Sequence, residues 1–293
     1  MARRGKVLYF AVVASLWLVR VGNAQFGPIT FSSDADYNNN NPPTSGLFRD
    51  IGPLNRQQGM NRGLDLGGTG HTALNFTGAA GSGGSNSVTL YDTNPTTTTP
   101  DNIFSGNLSL SGDILFKEFN NTKQGGFVLL YNEGFPTNNG LALMLSDAGN
   151  TDNNILSLAS MNGPAMSNLV TTSLSGGIGE IAWYHLTMDL TVSGGSFTIT
   201  GKVFSHTTGP DPGSALGSQI GPTLSYANTF AALGIQSSGE IGLAMREIQQ
   251  SAPNTNMVSI TNFQEVPEPS SFSLLSSCLC LALLTMVARL RRT

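Results

Sequence analysis

The sequence predicts an all-β protein whose body is a two-sheet sandwich, and three observations carry that prediction. Short segments alternate apolar and polar residues with a period of two, the pattern of a strand with one buried face. Clusters of Gly, Asn, Asp and Ser separate these segments, and no helical period lies between them. The composition agrees: 35 glycines and 11% charged residues in a chain of 293 suit many turns and few helices. Setting aside the two ends leaves about 240 residues, enough for one large all-β domain with a sizeable core.

The chain opens on Arg3, Arg4 and Lys6, continues through an apolar stretch from Val7 to Val19, and reaches Gly22-Asn23-Ala24. Basic, apolar and small-residue parts in that order form a secretory signal helix over 1–24, cleaved between Ala24 and Gln25. The competing reading is an uncleaved anchor, which Arg20 disfavours.

The body, 25–264, begins with an expected strand at Phe26–Phe31 and a loop at Asp34–Pro43. A short helix is expected within Leu47–Asn61. Residues 63–87 are glycine-rich with apolar islands at Leu64, Leu66, Leu74 and Phe76, and Ser87–Tyr91 reads as a strand. From Ile103 the alternation strengthens, with strands at Asn107–Phe116, Phe127–Asn132, Leu141–Ser146, Asn154–Ala159 and Leu169–Ser173. Ile181–Val192 is the clearest: Ala182, Tyr184, Leu186, Met188, Leu190 and Val192 share a core face, while Trp183, His185, Thr187, Asp189 and Thr191 share the other. Ser193-Gly194-Gly195 then turns into Ser196–Phe204, a hairpin. A polar loop spans His206–Gly221, and strands at Phe230–Gln236, Glu240–Arg246 and Met257–Phe263 complete the body.

The tail, 265–293, has three parts. Val266-Pro267-Glu268-Pro269 leads into Ser270–Ala288, which holds no charged residue, and Arg289, Arg291 and Arg292 follow at once. Nineteen helical residues cover roughly 28 Å, one hydrocarbon core. The prolines delay the helix start, and the arginines favour the cytoplasmic side, leaving the body outside. A plain C-terminal anchor is one reading. The three-part order also resembles the PEP-CTERM sorting signal of Gram-negative bacteria. That resemblance implies an exosortase-type membrane processing enzyme as partner, a host that makes exopolysaccharide, and passage through the inner membrane to the cell surface or extracellular matrix. Cys278 and Cys280, the only cysteines, lie in this tail, so the body is stabilised by packing and not by crosslinks.

The run IAWYHLTMDLTV, the Gly-Gly turn, FTITGKVF, SSGEIGLAM and VSITNF resemble the later strands of concanavalin-like, laminin-G-like jelly rolls. The resemblance implies a jelly-roll β-sandwich whose final strand, near Ile260–Phe263, pairs back near Ile29–Phe31. It also brings in the alternative of a polysaccharide-active enzyme, a glycoside hydrolase or lyase. Such enzymes carry carboxylates at alternating positions of one strand. Here Glu118, Glu133, Glu180, Glu240 and Glu247 are isolated, so a non-catalytic role is expected.

From Gln25 to Glu265, seven basic residues stand against 17 acidic ones, a net charge of about −10. Such a surface repels nucleic acid and anionic lipid, and neutral sugars or divalent cations are compatible partners. Trp183, on the outward face, either offers a sugar platform or packs under a loop; Tyr131, Tyr184 and Tyr226 are the other stacking candidates. His71, His185 and His206 lack metal-ligand spacing, and His185 is expected beside Trp183 on an exposed face. Asp147 and Asp152, in the loop 147–154, offer oxygens for Ca²⁺, with a plain Asx-rich turn as the competing reading. No other cofactor is expected.

Overall fold

The computed structural model describes residues 26–37, 46–50, 60–77, 85–92, 102–117, 123–133, 139–147, 154–162, 165–174, 178–179, 181–247 and 256–266. Among them are the strands β1 (Phe48–Asp50), β2 (Met60–Leu64), β3 (Thr72–Thr77), β4 (Ser85–Tyr91), β5 (Phe104–Ser105), β6 (Leu108–Phe116), β7 (Lys123–Asn132) and β8 (Asn139–Asp147). They continue as β9 (Ile155–Asn162), β10 (Ala165–Ser173), β11 (Trp183–Ser193), β12 (Ser196–His206), β13 (Leu216–Gln219), β14 (Leu224–Thr229), β15 (Ser238–Glu247) and β16 (Asn256–Glu265), with one helical turn, α1 (Phe230–Leu233).

The strands form two antiparallel sheets of eight. The first runs β1-β4-β15-β7-β8-β9-β10, with β5 beside β15; the second runs β13-β12-β11-β6-β16-β3-β2, with β14 beside β12. The chain crosses between sheets after β1, β3, β5, β6, β10, β14 and β15, so strands distant in sequence become neighbours. The inner faces bury one large core, with Phe76, Ile114, Phe127, Leu143, Leu186, Leu243 and Ile260 among its members.

Alternation decides which side chains enter that core. In β11, Tyr184, Leu186, Met188 and Leu190 point inward and are buried, as their period of two requires. The β11–β12 hairpin closes with Ser193 opposite Ser196. Gly194 and Gly195 both take positive φ, 56° and 86°, the backbone of a two-residue turn matched to the strand twist. The first sheet is apolar on both sides. Val88, Leu90, Val128, Tyr131, Ala142, Met144, Met161 and Ala244 form a second buried cluster on its outer face.

Several expectations are corrected. Phe26–Phe31 is not a strand but contributes one bridge, Ile29 to Phe263, and that bridge is the expected return of the last strand to the first segment. The two ends of the stretch expected to hold a short helix, 48–50 and 60–61, are strand; 51–59, where that helix would lie, are outside the described residues. The glycine-rich 63–87 holds part of β2, all of β3 and the start of β4. Phe230–Leu233 is a helical turn because Thr229 caps it, its side chain accepting from Ala232 N, and Gly234 ends it in the left-handed region. Within the expected polar loop 206–221, Leu216–Gln219 forms β13. No described helix is long and apolar enough to cross a membrane. The signal segment with Ala24 and Gln25, Pro267, Glu268, Pro269, the expected span, and Arg289, Arg291 and Arg292 lie outside the described residues.

Candidate functional site

Strand β6 sits between β11 and β16 in the second sheet, with Asp113 opposite His185 on one side and Thr261 on the other. Leu108, Leu110, Ile114 and Phe116 of β6 enter the core. The alternate set, Ser109, Ser111, Asp113 and Leu115, therefore stands on the outer face. His185 is on the outer face of β11 for the same reason. His206 arrives from the end of β12, past a register irregularity between Phe204 and His206.

The three side chains meet. His185 Nδ1 lies 2.6 Å from Asp113 Oδ1 and His206 Nε2 lies 2.7 Å from the same oxygen. The other carboxylate oxygen, Oδ2, accepts a 2.6 Å hydrogen bond from Asn262 Nδ2. Asn262 reaches it from an irregular stretch of β16, with φ of 52°. Its amide also donates to the Pro210 carbonyl, which draws the 207–215 loop over the cluster. Side-chain exposure is 3% for Asp113, 5% for His206 and 13% for His185. Burial works to raise the Asp113 pKa, but the hydrogen bonds from His185 and His206, the His185 charge and the Asn262 amide outweigh it and hold the carboxyl below its ordinary value. The Nδ1 atom of His206 is buried without a partner among the described residues, so the ring is held through Nε2.

Beside this cluster lies a roofed hydrophobic spot. Trp183 packs with Ala73 and Leu115 and is only 6% exposed. Its indole N–H donates to Thr69 Oγ1 at 3.0 Å. The Asp65 carboxylate accepts from the Thr69 and His71 backbone N–H groups at 3.0 and 2.9 Å and shapes the covering loop. The His71 ring stands edge-on to the indole at 6.3 Å, with its Nδ1 3.4 Å from Asp211 of the 207–215 loop. Trp183 is thus covered by a loop and is not an open platform. His185 faces Asp113 and His206 instead of lying beside it on an exposed surface. Tyr131 and Tyr184 are also buried; Tyr226 alone among the named aromatics is partly exposed. Asp147, the first residue of the expected oxygen-rich loop, is the last residue of β8, paired with Lys123. Asp152 lies outside the described residues.

Carboxylates that look isolated in sequence also converge, on Arg49 of β1. Its Nη1 lies 2.7 Å from Glu133, Nη2 lies 2.8 Å from Glu240, and Nε lies 3.3 Å from Asp92. Glu133 and Glu240 hold the guanidinium above its ordinary pKa against the opposing effect of burial. Glu240, 1% exposed, is pushed up to about 7, mainly by burial, with Arg49 opposing and the charges of Asp92 and Glu133 adding. Glu240 is sealed from solvent and paired, so this cluster offers no open acid–nucleophile pair.

No protein-family model matches this chain, and no curated protein sequence matches it. Solved structures do resemble it. The carbohydrate-binding module CBM66 from Bacillus subtilis is 14% identical, with a TM-score of 0.38 over 74% of this chain and 94% of that one. The lectin from Bauhinia forficata in complex with GalNAc is 10% identical, with a TM-score of 0.44 over 83% and 97%. Peanut lectin with a nine-residue peptide is 9% identical, with a TM-score of 0.44 over 79% and 95%. Likenesses this distant leave function to be argued from the residues.

Proposed function

We propose that this chain is an exported, non-catalytic protein of the cell surface or biofilm matrix, a jelly-roll sandwich sorted through its PEP-CTERM tail. The observation that carries the reading is the placement of the compact unit, Phe26–Val266. The expected signal segment, 1–24, and the part of the tail beyond Val266 fall outside it, which supports their being separable from the folded body. Val266, the first residue of the expected motif, is exposed and is held to Ser109 by a 2.8 Å backbone hydrogen bond. The thiol-free, acidic body suits an extracellular setting, and a neutral exopolysaccharide is the partner its net charge tolerates. The non-catalytic part of the reading is supported by the Arg49 cluster, where Glu133 and Glu240 neutralise a cation and Glu240 is buried.

The test is fractionation of cells expressing the wild-type chain, a Pro267→Ala/Pro269→Ala variant and an Arg289→Ala/Arg291→Ala/Arg292→Ala variant. The reading expects the wild type at the surface and both variants retained in the inner membrane. Equal surface delivery of all three overturns the sorting role. A glycan array probed with the surface-recovered protein then separates a binder from a scaffold.

A further inference from the structure

We propose that Asp113, His185 and His206 bind one divalent first-row transition ion, with Zn²⁺ the best fit to the donor set. The inference does not rest on export or sorting; it rests on three converging donors. One nitrogen from each ring and one Asp113 oxygen all lie within 4.8 Å of one another. Ligand atoms around a tetrahedral Zn²⁺, each about 2.0–2.2 Å from the metal, stand roughly 3.3–3.5 Å apart. The observed separations of 2.6 and 2.7 Å must open by roughly 0.6–0.9 Å to admit the ion.

The donor chemistry selects the class of metal. Two imidazoles and one carboxylate suit Zn²⁺ and its transition-metal neighbours, whereas Ca²⁺ takes an all-oxygen shell. Asn262 occupies Oδ2 of Asp113 and so leaves Oδ1 for the metal, the kind of supporting contact that orients a ligating carboxylate. Three protein ligands would leave at least one coordination position for water or a further ligand.

The placement says what the ion does. His206, His185, Asp113 and Asn262 belong to β12, β11, β6 and β16, four consecutive strands of the second sheet. The ion joins three of them directly and the fourth through Asn262, whose contact with the Pro210 carbonyl adds the 207–215 loop. It therefore clasps the outer face of a body that has no disulfide.

The experiment uses the full-length chain in detergent, without a polyhistidine tag, stripped by chelator and titrated with Zn²⁺ against a chromophoric competitor. The expected result is one Zn²⁺ per chain with micromolar or tighter affinity and a raised unfolding temperature. His185→Ala and His206→Ala each weaken binding at least 100-fold, Asn262→Ala weakens it about 10- to 100-fold, and His71→Ala leaves it unchanged. Should a ligand variant fail to fold, X-ray absorption on the wild-type zinc complex decides, with two imidazole shells expected. A folded wild type that takes up no Zn²⁺ or Co²⁺, or a bound ion without imidazole scattering, overturns the proposal.

Discussion

Replacing Glu240 by Gln should flatten the dependence of stability on pH between about pH 4.5 and pH 7. The side chain is 1% exposed, and burial raises its pKa from 4.5 to about 7 although Arg49 Nη2 lies at 2.8 Å. The folded pKa is above the unfolded one. In that window the unfolded chain has released the proton and the native state still holds it. Stability is therefore fullest below about pH 4.5, falls as pH rises, and levels off above about pH 7. The slope is at most about 1.4 kcal/mol per pH unit, and the total is about 3 kcal/mol. The amide that replaces the carboxyl cannot ionise and contributes no slope. Urea denaturation of wild type and Glu240→Gln from about pH 5 to about pH 8 reads the difference directly. The variant should gain on the wild type by about 2–3 kcal/mol across that range. Arg49→Met should be the converse. It leaves Glu240 and Glu133 without their shared cation, costs about 3–5 kcal/mol at the alkaline end, and costs less where Glu240 is protonated. Parallel curves for wild type and Glu240→Gln would refute the assignment of this buried proton.

Other consequences are quickly checked. Trp183 and Trp17 are the only tryptophans, so in a Trp17→Phe background the fluorescence reports Trp183 alone; it should emit at short wavelength and resist acrylamide, and ready quenching would mean an open indole. Asn262→Ala removes the hydrogen bonds to Asp113 and Pro210 and should cost roughly 1–3 kcal/mol by denaturant titration. At the β11–β12 turn, Gly194→Asn should be nearly neutral because Asn tolerates the left-handed region, whereas Gly195→Val should lower the melting temperature by several degrees.

What the sequence revealed follows from which faces are wet. β11 and β12 are read correctly because each has one core face and one polar face, and because two glycines mark the turn. In the first sheet, Val128 and Tyr131 of β7, and Ala142 and Met144 of β8, are buried on the side away from the core. Those strands therefore appear as continuous apolar runs, without a clean alternation. β2, interrupted by Gly63, and β3, a short TALNFT segment between glycine-rich stretches, show only isolated apolar residues. The cluster on Asp113 is legible only in part. Alternation places His185 on the outer face of β11. His185 and His206 are nevertheless 72 and 93 residues from Asp113, and only the strand order β12-β11-β6 brings the three together. The same holds for Arg49 and Glu240, 191 residues apart. Trp183 shows the reverse case: its outward position is legible, but the loop that covers it is set by Asp65 and its hydrogen bonds to Thr69 and His71.

The central claim is that a self-sufficient sandwich is exported and trimmed at both ends. Intact-mass spectrometry of the protein recovered from the native cell surface tests it most directly. The account predicts a chain that begins at Gln25 and has lost Arg289, Arg291 and Arg292. A surface-recovered chain that keeps that basic end, or a protein found only in the cytosol with residues 1–24 still attached, would contradict it.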